Sequence, residues 1–307
     1  MRYAPVTLLI LIGVSAMAMG SPLVRAQEAT RVELAMANDD IDASIDIGGR
    51  ALHLVCQGEG APTVILEAGR FPAAEWAPVF TGVEQVTRVC RYDRANVDGS
   101  DPAPLPRTGA DVVADLHALL EAAEVRGPYV LVGADLGGLY TRLYAATYPN
   151  DVAGMVLVDA VYEEVFTSSA LFLTPQDLAE TIRIDMTGGD PEGIWTPRDV
   201  PKTFAEMRAA RQAGPMKPMP LLVLAAGNLA AGADSPYPPA SDAVWPPLSL
   251  LIQTTLSTLT PDGELVVLPE SGHFIHRDQP QAVIDAVTVV VEAVRDPDTW
   301  AAATPVP

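Results

Sequence analysis

Short apolar runs alternate with amphipathic segments along most of this chain. Four runs rich in Val, Ile and Leu end where loops begin: residues 62–69, 87–93, 129–133 and 153–160. Between them, residues 108–125 and 138–148 place their apolar side chains at helical spacing. Strand and helix that alternate in this way predict an α/β fold, with a mostly parallel, doubly wound sheet covered by helices on both faces.

The alternation is interrupted once, by residues 161–217, which are richer in Pro, Gly, Met and charged side chains. We interpret this stretch as a helical cap inserted into the sheet domain. A Pro-rich stretch at residues 234–247 predicts a loop, and a helix is predicted from about residue 246 to 259. We predict a first core part at residues 27–160, the cap at 161–217, a second core part at 218–297 and a tail at 298–307.

The first 26 residues have the pattern of a secretory signal peptide. Arg2 precedes an apolar run at residues 6–14, and small residues lead to Ala26. The run is too short to span a bilayer comfortably, so an uncleaved anchor is the less favoured alternative. We therefore expect a periplasmic or secreted protein with no membrane association after cleavage. A formal net charge of −20 disfavours binding to nucleic acid.

The sequence Gly133-Ala134-Asp135-Leu136-Gly137 lies between a strand-like run and a helical segment. G-x-nucleophile-x-G in this position is typical of a nucleophile elbow, a strained turn that projects its central side chain above the sheet. Asp135 is therefore the candidate nucleophile. The alternative is that Asp135 caps the following helix.

A candidate base follows the last apolar run. His273 comes directly after Ser271 and Gly272, on a loop that can reach over the elbow. His276 is expected to pack or to cap. His53 and His117 lie within strand and helix patterns, where structural roles are expected.

These segments resemble the α/β-hydrolase superfamily, in its exported bacterial branch. The resemblance extends from about residue 43 to 295 and is carried by "VILEAG", "RVCRYDRA", "GGLYTRLYA" and "SGHFIHRDQP". It implies the α/β-hydrolase fold. Most relatives have His-Ser where this chain has Ala134-Asp135, whereas epoxide hydrolases and haloalkane dehalogenases resemble it in using an elbow aspartate.

The resemblance also implies the other parts of a catalytic site. The backbone N–H groups of Leu136 and Arg70 would form the oxyanion hole. Asp159 matches the position of the orienting acid in relatives whose acid follows the sixth strand, and we favour it. Asp234, after the next strand, is where most of the superfamily places this acid, and Asp242 is a third candidate.

The chain has two cysteines, Cys56 and Cys90. Residues 43–47 and 51–56, separated by two glycines, are typical of a hairpin. In the superfamily's strand order, the strand that ends at Cys56 would lie beside the strand that contains Cys90. The resemblance therefore implies a disulfide, which an oxidising compartment permits; two buried free thiols are the alternative.

An elbow aspartate changes the reaction that this fold supports. A carboxylate that attacks an ester would form an anhydride, which is as reactive as the substrate. The same carboxylate can displace a leaving group at saturated carbon and become an alkyl ester, which water then hydrolyses. We therefore expect epoxide opening or dehalogenation through Asp135, with His273 as the base, and we place epoxides before halides.

Several residues are candidates for substrate contacts. Tyr162, or else Tyr237, would protonate an opened epoxide, and Trp195 would line a halide site. Arg70 replaces a small residue and could bind a substrate carboxylate, whereas Arg94 is expected to be structural.

The chain carries no dinucleotide or phosphate-loop motif and no metal-ligand spacing, so we expect a small-molecule substrate and neither cofactor nor metal. Two other hypotheses stay open. One is an esterase-branch hydrolase in which His273 activates water directly, and the other is a catalytically silent homologue that binds a ligand.

Overall fold

The computed structural model describes residues 39–187, 199–229 and 237–302. Eight strands form one sheet: β1 (Ile41–Asp46), β2 (Ala51–Gln57), β3 (Thr63–Glu67), β4 (Val89–Tyr92), β5 (Tyr129–Ala134), β6 (Val152–Val158), β7 (Leu221–Ala226) and β8 (Glu264–Leu268). Their order is β1-β2-β4-β3-β5-β6-β7-β8. β2 pairs antiparallel with both β1 and β4, and the remaining neighbours pair in parallel. The mostly parallel sheet is confirmed.

Nine α-helices lie in the described part of the chain: α1 (Ala77–Val83), α2 (Gly109–Ala122), α3 (Leu136–Thr147), α4 (Val165–Ser169), α5 (Pro175–Thr187), α6 (Val200–Ala213), α7 (Pro239–Ser257), α8 (Ile275–Asp278) and α9 (Pro280–Arg295). One hydrophobic core contains side chains of α2, α3 and α7, and the other contains side chains of α1 and α9. Every residue of β3, β5 and β7 is buried, because helices cover both faces of the sheet.

Local sequence explains where α2 begins. The Thr108 hydroxyl accepts from the backbone N–H of Asp111, and the Asp111 carboxylate accepts from the backbone N–H of Thr108. This reciprocal capping box satisfies two donors that a helix start would leave unpaired.

The stretch predicted as a cap contains α4, α5 and α6, between β6 and β7. A buried ion pair joins it to α3, since Arg142 Nη1 lies 2.8 Å from Glu163 Oε2. Arg142 also donates to the backbone carbonyls of Gly138 and Val161. The insertion is therefore tied to the helix that follows the elbow.

Cys56 and Cys90 form the disulfide that the resemblance implied, and they face each other in the register of β2 and β4. The prediction of a loop at residues 234–247 was wrong for residues 239–247, which belong to α7. Proline is favoured in the first turn of a helix. Here that turn also packs on α5, with Ser241 Oγ 2.7 Å from Thr181 Oγ1.

The predicted tail begins with a 3₁₀ helix, Pro297–Ala302. Trp300 anchors it by donating from its indole N–H to the backbone carbonyl of Asp262. The predicted signal peptide lies outside the described residues. Of the helices that the structure describes, none is long and apolar enough to cross a membrane.

Candidate active site

Asp135 lies at a sharp turn between β5 and α3. Its backbone has φ 52° and ψ −123°, a region that non-glycine residues rarely adopt and that costs about 1–3 kcal/mol. Close packing fixes this turn, because a Cβ added at Gly137 would lie 2.3 Å from the carbonyl oxygen of Glu67. Among the described residues, the Asp135 side chain makes no capping hydrogen bond to α3. The turn therefore presents the carboxylate away from the helix start.

His273 lies between two carboxylates. Its Nε2 is 3.4 Å from Asp135 Oδ1, and its Nδ1 is 2.6 Å from Asp159 Oδ2. The backbone N–H of Ala226 donates to the other oxygen of Asp159 at 3.2 Å and holds that carboxylate in place. The structure thus brings Asp135, His273 and Asp159 together. Asp234 lies outside the described residues, and Asp242 lies in α7.

Arg70 also binds Asp135. Its backbone N–H and its Nε donate to Asp135 Oδ2 at 2.9 and 3.0 Å, and its Nη2 donates to Oδ1 at 3.2 Å. Sequence reasoning predicted the backbone N–H contact but missed the two-pronged ion pair of the guanidinium. Leu136 is the first residue of α3, so its N–H belongs to the helix turn whose donors lack intrahelical partners.

The pKa values of Asp135 and His273, at the centre of the site, shift in opposite directions. Burial alone would raise the pKa of Asp135, but the charge of Arg70 and the imidazole of His273 outweigh burial and hold this pKa well below its usual range. Burial alone would lower the pKa of His273, but Asp135 and Asp159 outweigh it and raise this pKa to about 9. At neutral pH the resting site therefore contains a carboxylate and an imidazolium.

Asp135→Asn lowers the pKa of His273 from its value of about 9, because the amide removes one of the two carboxylates that stabilise the imidazolium. Because the pKa of His273 is higher in the folded chain than in the unfolded chain, protonation of His273 stabilises the fold. This stabilisation is fully present below pH 6.5 and is lost as the pH rises towards 9. An NMR titration of the imidazole resonances measures the change. His53 is the internal control, because Asp42 and Asp93 raise its pKa independently of Asp135. An unchanged His273 titration would contradict the geometry.

His276 packs behind the site and not in it. Its ring stacks on Phe71 with centroids 4.2 Å apart and lies 5.0 Å from Trp76. Burial, with the nearby charge of Arg277, lowers its pKa to about 3, so the ring stays neutral. It supports Phe71 and Phe274, which directly follow Arg70 and His273.

Tyr162 contacts a different part of the molecule. Its hydroxyl accepts from Arg211 Nη1 at 2.6 Å, and its ring packs against Arg142 and Arg211. These two arginines belong to α3 and α6. The role of Tyr162 as proton donor to an opened epoxide stays a prediction. Trp195 lies outside the described residues.

Glu67 is a buried acid beside the site that sequence reasoning missed. It ends β3 with 1% of its surface exposed, accepts from the Tyr92 hydroxyl at 2.5 Å, and pairs with Arg94 at 2.6 Å. A charged residue at the end of the otherwise apolar run "TVILE" was the available signal. No group of three or more His, Cys, Asp or Glu side chains in the described ranges is arranged to hold a metal ion.

Comparison with known proteins gives one family match. A family model described as "Alpha/beta hydrolase family" matches residues 58–286. The uncharacterized protein YqjL of Bacillus subtilis (strain 168) is 27% identical over 265 residues, which span 86% of this chain and 93% of YqjL. The 2-(acetamidomethylene)succinate hydrolase of Mesorhizobium japonicum is 24% identical over 275 residues, which span 82% of this chain and 96% of that enzyme.

Solved structures share the fold. The structure titled "Epoxide hydrolase CorEH without ligand" aligns with a TM-score of 0.55 at 15% identity, over 84% of this chain and 99% of that one. At this identity the likeness shows the fold alone.

Proposed function

Because this chain belongs to the alpha/beta hydrolase family, we propose that it is an exported hydrolase that attacks saturated carbon through Asp135. The observation that carries this proposal is the arrangement of Asp135, His273 and Asp159, with Arg70 donors on both oxygens of the attacking carboxylate. The disulfide is compatible with export.

In the first step, Asp135 Oδ1 bonds to the substrate carbon, and the leaving group departs with the electrons of the bond that breaks. The product of this step is an alkyl ester on Asp135, which no longer carries a charge. With that charge gone, His273 loses one of the two carboxylates that raise its pKa. The imidazolium then releases its proton to solvent and becomes a base.

In the second step, water adds to the ester carbon of Asp135 and gives its proton to His273 Nε2. The negative charge develops on Oδ2, which accepts from the Arg70 backbone N–H and Nε. The bond from the ester carbon to Oδ1 then breaks, and Oδ1 leaves in the product with the proton from His273. The remaining proton of the added water passes from the new carboxyl group to His273, which restores the imidazolium and the carboxylate. The restored carboxylate contains one oxygen from water.

The leaving group defines the substrate class. In-line displacement places it on the far side of the carbon from Asp135, so its proton donor or halide ligand has to come from that side. We keep epoxides before halides. The Mesorhizobium relative carries the name of a hydrolase, which supports the hydrolase class and not a substrate.

Isotope labelling tests this proposal. One turnover of an epoxide or a 2-haloacid in H₂¹⁸O, with enzyme in excess, places the label in the peptide that contains Asp135 and leaves the product unlabelled. The peptide that contains Asp115, a buried carboxylate paired with Arg107, is the internal control and stays unlabelled. Label that enters the product directly would instead show attack by water.

A second candidate function has its own supporting observation. Asp135 is only 2% exposed, and Arg70 donates to both of its oxygens, so substrate reaches the carboxylate only if the guanidinium moves. A chain in which that ion pair is permanent would be a silent ligand-binding homologue. Ligand binding with neither product nor label in Asp135 would favour this second function.

A further inference from the structure

A buried cluster lies directly behind the loop that carries Arg70. Glu67 and Arg94 form an ion pair at 2.6 Å, and the side chains are 1% and 9% exposed. The Arg94 guanidinium also donates to the backbone carbonyls of Ala68 and Gly69, the latter at 2.6 Å. Arg94 therefore holds consecutive peptide groups of residues 68–70, which we name the oxyanion loop.

The peptide group between Gly69 and Arg70 links Arg94 to Asp135. Its carbonyl accepts from Arg94 Nη2, and its N–H donates to Asp135 Oδ2 at 2.9 Å. Because a peptide group is planar, the direction of the carbonyl fixes the direction of the N–H. A charged donor on the carbonyl also polarises the group and makes its N–H a stronger donor.

The surroundings leave this peptide group little freedom. A Cβ added at Gly69 would lie 2.6 Å from both the Ala134 carbonyl oxygen and Asp135 Cβ, so the loop packs directly on the elbow. The charge on Arg94 persists, because Glu67 outweighs the effect of burial and raises the pKa of the guanidinium. The cluster thus supplies a fixed cation beneath the oxyanion loop.

We propose that Arg94 is a positioning residue that aims and strengthens the Arg70 N–H, and that it thereby controls the second step of the reaction and not the first. This inference rests on the proposed function. Alkylation removes negative charge from Asp135, so a weaker donor on Oδ2 does not slow it. Hydrolysis of the ester creates negative charge on Oδ2, so it depends on that donor.

Arg94→Lys tests the proposal. Lysine can neutralise Glu67, but its single ammonium lacks the planar fork that holds two loop carbonyls together with a carboxylate. Since loss of one oxyanion donor costs about 10²–10³ in kcat, we expect a misdirected donor to slow ester hydrolysis by about 10- to 100-fold. The alkylation rate stays within about threefold of the wild-type rate, as expected for an interaction made only in the later transition state.

Rapid quench followed by intact-protein mass spectrometry measures both rates, from the appearance and the decay of the alkyl-enzyme. Arg91→Lys is the matched control, because Arg91 belongs to the adjacent strand and its guanidinium packs over the Phe80 ring. We expect this control to change neither rate. An NMR spectrum of the Arg70 amide gives a readout that needs no turnover, and its resonance should shift upfield in Arg94→Lys.

The outcomes separate failure of the positioning role from failure of the proposed function. Wild-type hydrolysis in Arg94→Lys, or equal slowing of both steps, would overturn the positioning role. If neither the wild type nor His273→Gln forms an adduct, the proposed function is overturned. The positioning role can still be tested in that case, and an unchanged Arg70 amide resonance in Arg94→Lys would overturn it. If Arg94→Lys does not fold, Glu67→Gln/Arg94→Gln removes both buried charges together, and the same measurements apply.

Discussion

Asp135→Asn lowers turnover by roughly 10⁴-fold or more, on the scale seen when a nucleophile is removed from an enzyme with covalent catalysis. The amide has no anionic oxygen to attack saturated carbon, although it keeps the shape of the carboxylate. His273 and Asp159 remain in contact, since their 2.6 Å hydrogen bond does not involve residue 135. Steady-state assays with an epoxide and a 2-haloacid measure the loss.

The matched control for this variant is Asp115→Asn. Asp115 is also a buried carboxylate, 6% exposed, and it pairs with Arg50 and Arg107 away from the elbow. Its replacement leaves two arginines without their partner, so we expect a lower melting temperature and an unchanged kcat. Equal activity losses in the two variants would show that Asp135→Asn acts through folding and not through chemistry.

His273→Gln stops the reaction at the alkyl-enzyme. Glutamine cannot take the proton of the attacking water, and loss of a general base typically costs about 10²–10⁴ in rate. Alkylation needs no base, so the adduct forms and accumulates. Intact-protein mass spectrometry detects it as a mass increase equal to the alkyl group, and proteolysis assigns it to the peptide that contains Asp135.

His117→Gln is the control for that variant, because His117 stacks on Tyr148 at the end of α3 and not at the elbow. It should turn over at the wild-type rate without an adduct. Accumulation of adduct in His117→Gln, or full activity in His273→Gln, would rule out His273 as the base. An adduct on any residue other than Asp135 would reassign the nucleophile.

The sequence by itself determined most of the elements and the position of the sharp turn at Asp135. Apolar runs and helical spacing are local patterns, so β5, α2 and α3 could be located to within a few residues. The α7 start was wrong by about seven residues, because prolines read as a loop signal while the packing of Ser241 on α5 favoured a helix there. Asp135 became a candidate because it directly follows a strand between two nearby glycines, and His273 became one because it follows glycine in the loop after the last strand.

Only the tertiary structure decided which of these residues meet. Asp159 and His273 lie 114 positions apart, and Arg70 and Asp135 lie 65 apart, so their contacts depend on strand order and loop direction and not on local sequence. The ion pair of Arg70 with Asp135, and the contacts of Arg94 with residues 68–70, exist because parallel strands bring their carboxyl ends to one edge of the sheet. A sequence supplies these side chains, but their charges acquire a function only where the folded chain buries them together.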